Sequence, residues 1–297
     1  MANSIVSNAA QCYTDFMKVL FFHGGPGFNS RPESQLLSER FASEGLELIL
    51  WNEPSTLRAS GPQFRETDAY SNLLFYAEEF FLRHYEGSPL AIMTHSFGAN
   101  PACYLAKKHP EKIAEIFFIA TGLALPIIDK NIFRFTALDY IAREDERGRD
   151  LQKIVDQLSE TFDQNTEAAF GIVSQNPYYF DYYWHNQETK KIYASHFADP
   201  RFQFDVISFL AVRRSFADID LKNSRVPAVA IYGKHDIVVS STIEISMLQR
   251  KFASLKSYEL AHSSHYPHVE QPDEVLAILK QELSLLKNRP IQINASL

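Results

Sequence analysis

Three residue types that together can carry out nucleophilic catalysis follow strand-like segments of this chain, in the order Ser96, Asp236 and His265. A serine hydroxyl is a weak nucleophile near neutral pH, so it needs a base that takes its proton. An imidazole can act as that base, and a carboxylate can fix its tautomer and stabilise the imidazolium that forms. If these side chains meet, the sequence predicts acyl transfer through an intermediate on Ser96.

The segment around Ser96 predicts a sharp turn between a buried strand and a helix. The apolar run 90–93 precedes the turn, and a helix-like segment follows it. A serine in such a turn is typical of a nucleophile elbow, which exposes the hydroxyl and aims the next backbone N–H, that of Phe97, at the same point. Small residues are usual two positions before and after the serine. Gly98 fits this pattern, whereas Thr94 stands where the first glycine is expected, and we expect it to be tolerated.

Short apolar segments alternate with helix-like segments up to residue 122 and again after residue 225. This alternation predicts an α/β fold with a mostly parallel sheet covered by helices on both faces. In open sheets of this kind, chemistry collects beyond the carboxyl ends of the strands. We predict strands at 18–22, 46–51, 90–93, 113–120, 226–232 and 256–260, and helices at 32–43, 67–85, 102–109, 241–252 and 272–286.

Between residues 123 and 224 the strand-like segments become rare and aromatic residues become frequent. Phe, Tyr and Trp occupy 17 of these 102 positions, against 22 of the other 195. We predict a helical cap, 123–224, inserted into one core domain formed by 1–122 and 225–297. Its aromatic residues are suited either to line an apolar pocket or to fill the interface between cap and sheet.

Composition and charge narrow the function classes. A net charge of −7 and a pI of about 5.8 argue against nucleic acid or an anionic membrane as the main partner. The cysteines, Cys12 and Cys103, give no disulfide framework and no metal spacing, and Cys103 is expected to be a buried structural thiol. No secretory signal and no transmembrane segment is indicated. We expect a cytoplasmic protein that needs no cofactor or metal, with homodimerisation left open.

At four places the chain resembles the α/β-hydrolase family, and the resemblance covers nearly its whole length. The matching segments are His-Gly-Gly-Pro-Gly at 23–27, Thr-His-Ser-Phe-Gly at 94–98, Gly-Lys-His-Asp at 233–236 and His-Tyr-Pro-His-Val-Glu at 265–270. Their order along the chain, and the helical insertion before the Asp segment, also match. The resemblance implies an α/β-hydrolase fold with the catalytic residues after the strands.

The same resemblance implies a role for each residue of the predicted site. Ser96 is the nucleophile, His265 the general base and acid, and Asp236 the carboxylate that orients the imidazole. The backbone N–H groups of Gly25 and Phe97 form an oxyanion hole.

Neighbouring residues compete for these roles. His95 and His235 adjoin catalytic candidates, but adjacent side chains near a strand end point apart, so we expect both to pack or to meet solvent. His262 is the alternative base, and the family-like segment favours His265 over it. Glu270 is expected to brace the loop or to cap the last helix.

The form His-Gly-Gly-Pro-Gly is frequent in relatives of proline iminopeptidases, but this chain departs from them. Those relatives usually carry an Asp-x-Arg-Gly loop after the next strand, where this chain has Trp-Asn-Glu-Pro-Ser at 51–55. They also hold the substrate amine with carboxylates of the insertion, and no motif selects one here among Glu144, Glu167, Asp181 and Glu188.

Because only 22 residues precede His23, one or both of the usual leading strands are expected to be missing or irregular.

The favoured function is therefore a serine hydrolase whose partner is a small ester, amide or short peptide substrate. A proline iminopeptidase-like aminopeptidase and a hydrolase of carbon–carbon bonds use the same three residue types. A ligand-binding homologue with slow or no turnover is the alternative outside the enzymes.

Overall fold

Six short segments, most of them rich in aliphatic and aromatic residues, form one sheet in a computed structural model that describes residues 17–54, 68–197, 201–202 and 204–287. The strands are β1 (Met17–Phe22), β2 (Leu46–Leu50), β3 (Leu90–His95), β4 (Ile113–Ile119), β5 (Ala228–Gly233) and β6 (Leu255–Leu260). All neighbouring strands are parallel, in the order β2-β1-β3-β4-β5-β6. The sequence-based strands are confirmed to within two residues, and the segments on either side of the predicted cap join one sheet.

Helices connect the strands, as parallel pairing requires. They are α1 (Arg31–Ser43), α2 (Ala69–His84), α3 (Ala99–Lys108), α4 (Leu125–Ala142), α5 (Arg147–Val155), α6 (Gln164–Val173), α7 (Gln187–Ser195), α8 (Val206–Arg214), α9 (Ser241–Lys251), α10 (Pro267–Glu270) and α11 (Pro272–Lys287). The described part of the chain between β4 and β5 contains helices and no strand. That these helices form a separate cap bounded at 123 and 224 stays a prediction.

The strand order reverses direction between β1 and β3. From β1 the chain moves outward to β2, then returns across β1 to β3 and continues to β6. Because crossover connections are right-handed, this reversal places α1 on the opposite face of the sheet from α2 and α3. The crevice at such a reversal, beyond the carboxyl ends of the strands, is where open α/β sheets bind ligands.

Burial follows the position of each strand in the sheet. Every residue of β3 and β5 is buried, as expected of central strands with both faces covered. The edge strand β6 leaves most of its residues accessible. Cys103 is buried in α3, and burial raises the pKa of its thiol to about 12, so the predicted structural thiol stays protonated.

One sequence-based expectation is wrong in detail, and another concerns residues that the structure does not describe. The loop expected at 261–268 is wrong at its end, because Pro267 begins α10. Proline suits the first turn of a helix, where its missing N–H costs no hydrogen bond. The expectation about the leading strands concerns residues 1–16, which lie outside the described residues together with Cys12. Among the helices of the described residues, none combines the length and hydropathy needed to span a membrane.

Candidate active site

Ser96 lies in a strained turn directly after β3. Its φ of 49° is in the left-handed region, which a residue with a side chain rarely adopts. A short 3-10 turn, Ser96–Gly98, then leads into α3. A Cβ added to Gly98 would lie 2.2 Å from the carbonyl oxygen of Phe22, so glycine is required there, whereas Thr94 is accommodated fully buried. The elbow predicted from the sequence is therefore formed.

Gly122, after β4, lies against this turn and was not identified from the sequence. Its N–H donates to the Ser96 carbonyl at 3.0 Å. A Cβ at this position would lie 3.0 Å from the Phe97 nitrogen and 3.2 Å from Ser96 Oγ. Glycine thus keeps open the space beside the hydroxyl and beside the N–H that the sequence assigns to an oxyanion hole.

Asp236 and His265 are hydrogen-bonded to each other at the ends of β5 and β6. His265 Nδ1 lies 2.9 Å from Asp236 Oδ2, and both side chains are 3% exposed. The other carboxylate oxygen accepts from the N–H groups of Val238 at 2.8 Å and Val239 at 3.1 Å. With Nδ1 donating to the carboxylate, Nε2 is the nitrogen left to accept a proton.

The loop that carries His265 is held on several sides. A Cβ at Gly233 would lie 2.1 Å from the Ser264 carbonyl oxygen, so this loop packs directly on the end of β5. The His265 N–H donates to the Tyr183 carbonyl at 3.0 Å. Glu270 accepts from the Ser264 N–H at 2.7 Å, so it braces this loop as expected.

The loop at 23–27 is held by the segment that departs from the Asp-x-Arg-Gly pattern. The Gly27 N–H donates to Glu53 Oε2 at 2.7 Å in a buried setting. Ser30 donates its hydroxyl to the Trp51 carbonyl at 2.6 Å and its N–H to Asn52 Oδ1 at 2.9 Å. Residues 51–53 therefore fix the loop that contains Gly25; Ser55 lies outside the described residues.

The competing histidines occupy three different environments. His95 is buried and packs, as predicted, but its ring lies 4.9 Å from that of His265 and its Nε2 donates to the His265 carbonyl at 2.8 Å. Burial lowers the pKa of His95 well below its usual value, so this ring is neutral. His235 is exposed and stacks on His185, and His262 is exposed, so neither joins the site.

Most of the predicted site residues adjoin one cavity of about 560 Å³. Ser96, His265, Gly25 and Phe97 all line it, whereas the Asp236 carboxylate is behind the imidazole. Aromatic side chains of the helical segment form much of the remaining wall: Phe170, Tyr179, Phe180, Tyr183, Phe197 and Phe209. Of the two roles considered for the aromatics, these residues line the pocket.

A buried ion pair also lies on the cavity wall and was missed from the sequence. Asp129 on α4 binds Arg213 on α8, with side chains 7% and 6% exposed. Burial raises the pKa of Asp129, and the guanidinium opposes that shift. The partners are 84 positions apart, so no local motif could have indicated the pair.

The four insertion carboxylates considered as amine ligands differ in position. Glu167 lines the cavity and pairs with Arg214 at 2.5 Å. Asp181 and Glu188 pair with lysines of α7, and Glu144 is exposed; none of these three lines the cavity.

The alpha/beta hydrolase fold family matches this chain over residues 18–272. Probable aminopeptidase YbaC of Bacillus subtilis (strain 168) is 20% identical over 294 residues, which cover 86% of this chain and 85% of that protein. A proline iminopeptidase-related protein from Thermus thermophilus superposes with a TM-score of 0.66 at 17% identity, over 92% of this chain and 91% of the other. An esterase from Exiguobacterium antarcticum gives a TM-score of 0.60 at 14% identity, over 90% and 92%. The predicted fold is confirmed, and the chain belongs to the α/β-hydrolase family.

Proposed function

We propose that this protein is a serine hydrolase that cleaves a small, largely apolar ester or amide through an acyl-enzyme on Ser96. One observation carries the proposal: the Asp236–His265 hydrogen bond orients an imidazole that shares one cavity with the strained Ser96 elbow. Each of these features has a cost, since a positive φ is strained and a buried carboxylate is desolvated. A catalytic role accounts for both.

The reaction follows from these positions. Ser96 Oγ attacks the substrate carbonyl carbon while His265 Nε2 accepts the hydroxyl proton, and the carbonyl oxygen becomes an oxyanion. The N–H groups of Gly25 and Phe97 stabilise that oxyanion, each by roughly 3 kcal/mol. The carbon–oxygen or carbon–nitrogen bond then breaks, and the imidazolium gives its proton to the leaving group. Water, deprotonated by the same imidazole, hydrolyses the acyl-enzyme and regenerates the serine.

The cavity favours an ester or neutral amide over a peptide with a free amino terminus. Three carboxylates line it among the described residues: Asp129 and Glu167, each paired with an arginine, and Glu33, which accepts from the Tyr193 hydroxyl at 2.6 Å. An ammonium group would have to compete with these partners. The names of two relatives, a probable aminopeptidase and a proline iminopeptidase-related protein, make the aminopeptidase the second candidate.

The assignment of the nucleophile is tested by labelling with a fluorophosphonate probe and by turnover of short and medium nitrophenyl esters. Ser96→Ala should lose both the label and the turnover. Ser174→Ala is the matched control, because Ser174 lines the same cavity away from the elbow. Undiminished labelling of the folded Ser96→Ala variant contradicts the proposal.

Substrate class is tested with prolyl, alanyl and leucyl arylamides beside the same esters. We expect multiple turnovers of esters and slower or no cleavage of the arylamides. Cleavage of the prolyl arylamide alone favours the aminopeptidase. Release of one equivalent of nitrophenol without further turnover favours the ligand-binding homologue.

A further inference from the structure

Three side chains behind the catalytic candidates form a buried polar cluster that the proposed reaction does not use. They are Glu33 on α1, His95 at the end of β3 and His268 on α10. None is more than 2% exposed, and one donor atom from each lies within 4.8 Å of the other two. The sequence predicted no metal, since its cysteines have no metal-binding spacing, and no motif joins these three positions.

The cluster leaves several polar atoms without hydrogen-bond partners. Within the described residues, Glu33 Oε2 and both ring nitrogens of His268 have none. Buried polar atoms in native proteins are nearly always satisfied, and each one left unpaired costs about 1–3 kcal/mol. One bound ion could satisfy Glu33 Oε2 and one ring nitrogen of His268, so these unpaired atoms indicate that the native cluster holds a further binding partner.

The spacing suits a cation better than a direct hydrogen bond. His268 Nε2 lies 3.7 Å from Glu33 Oε1, which is too long for a hydrogen bond. Two ligand atoms that each lie about 2.1 Å from a tetrahedral ion are roughly 3.4 Å apart. The Glu33–His268 separation is thus close to the distance between two ligands of one ion. The His95 nitrogen would have to move farther to coordinate the same ion.

The surroundings are those that metal ligands usually have. A coordinating histidine commonly donates its other N–H to a backbone carbonyl, and a coordinating carboxylate is itself hydrogen-bonded. His95 Nε2 donates to the His265 carbonyl at 2.8 Å, and Glu33 Oε1 accepts from the Tyr193 hydroxyl at 2.6 Å. A Cβ at Gly24 would lie 2.9 Å from His95 Nδ1, so glycine keeps space open beside the ring nitrogen that remains.

We propose that Glu33, His95 and His268 bind a divalent first-row cation, of which Zn²⁺ best suits two neutral imidazoles and one carboxylate. The ion would join α1, the end of β3 and α10, which adjoin the loops carrying Gly25, Ser96 and His265. It would thereby position those loops without contacting the reacting atoms. Because Glu33 and His95 also line the cavity, an ion can enter from there. The site is independent of the reaction proposed above.

The test uses the full chain with any affinity tag removed, dialysed against metal-free buffer and then supplied with ZnCl2 or CoCl2. We expect one equivalent of zinc per chain by elemental analysis, a melting temperature that rises with zinc, and visible absorption bands of low-coordinate Co²⁺ with nitrogen ligands. Glu33→Gln and His268→Gln should each weaken zinc binding at least about tenfold. His262→Gln is the matched control, since His262 is exposed in the loop before α10, and it should bind zinc like the wild type.

Two results would overturn the proposal. One is a wild-type protein that takes up less than about a tenth of an equivalent of zinc and gives no Co²⁺ bands. The other is unchanged zinc binding in folded Glu33→Gln and His268→Gln variants, which would assign the metal to surface histidines. If both variants fail to fold, the wild-type Co²⁺ spectrum and zinc-dependent melting decide alone.

Discussion

Glu270 accepts a hydrogen bond from the Ser264 N–H at 2.7 Å, one residue before His265 in the chain. Its second carboxylate oxygen accepts from the N–H groups of His185 at 2.8 Å and Asn186 at 2.7 Å. One side chain therefore connects the loop of the predicted catalytic base to the helical segment that lines the cavity. Burial raises the pKa of this carboxyl, and its three backbone donors oppose that shift.

Glu270→Ala removes the acceptor from all three N–H groups. We expect the free energy of unfolding to fall by about 2 kcal/mol, because the Ser264 N–H is partly buried and loses its partner. We also expect kcat for a nitrophenyl ester to fall about tenfold, since His265 is less well positioned. Urea unfolding and steady-state kinetics measure these effects. Glu188→Ala, an exposed change on α7, should alter neither quantity, and an unaltered kcat in Glu270→Ala would show that the brace does not position the base.

Gly233→Ala should displace the His265 loop by steric contact. The added Cβ would lie 2.1 Å from the Ser264 carbonyl oxygen and 2.5 Å from that of Ser263. Backbone atoms cannot rotate away, so we expect a loss of about 3 kcal/mol or more in unfolding free energy and of most ester turnover. Gly171→Ala is the matched control for stability. No heavy atom lies within 4 Å of its added Cβ, and it should stabilise α6 by up to about 1 kcal/mol. Equal thermal stability of the two variants would contradict this account.

The features that could be predicted from the sequence are those with a local signal. Apolar segments of five to seven residues mark the buried strands, and the residues after them must lie at one edge of a parallel sheet. Ser96, Asp236 and His265 each follow such a segment, so their position at that edge could be expected although Ser96 and His265 are 169 positions apart in the chain (265 − 96). Gly98 and Gly233 belong to the family-like segments, and both lie where backbone atoms pack closely.

The features that were missed depend on contacts between distant parts of the chain. Asp129 and Arg213 are on different helices, and Glu33 and His268 lie on α1 and α10, where neither segment contains a pattern for its partner. Their pairing follows from the packing of helices on the sheet, which apolar periodicity does not specify. Glu53 could be seen only as a departure from a family pattern, and its bond to the Gly27 N–H became evident from the structure.

Glu53→Ala should impair the loop that carries the predicted oxyanion donor. The substitution leaves the Gly27 N–H without its buried acceptor, which costs about 1–3 kcal/mol of stability. We expect kcat to fall about tenfold with a smaller change in KM, because Gly25 interacts most strongly in the transition state. Steady-state kinetics and the affinity for a phosphonate transition-state analogue are the measurements. Glu47→Ala, exposed on β2, is the control, and an equal loss in both variants would exclude a specific role for Glu53.

Glu244 is a buried carboxyl whose protonation should couple stability to pH. It is fully buried on α9, and its two oxygens accept from the N–H groups of Leu123 at 3.1 Å and Ala124 at 2.9 Å. Burial raises its pKa from 4.5 to about 7, against the effect of both hydrogen bonds, and the Asp236 charge adds to the rise. Between these values the folded protein holds a proton on Glu244 that the unfolded chain has released.

Stability from this group must therefore fall as pH rises from 4.5 towards 7, because the unfolded chain binds fewer protons there. Over this window the loss amounts to about 3 kcal/mol at most, and below it the contribution is constant. Glu244→Gln removes the ionisation, so the difference in unfolding free energy between wild type and variant should shift by about 2 kcal/mol between pH 5 and pH 7.5. Urea unfolding at the two pH values measures it, with the exposed Glu39→Gln as the control. A wild-type-to-variant difference that stays the same at both pH values would mean that Glu244 ionises as readily in the folded protein as in the unfolded chain.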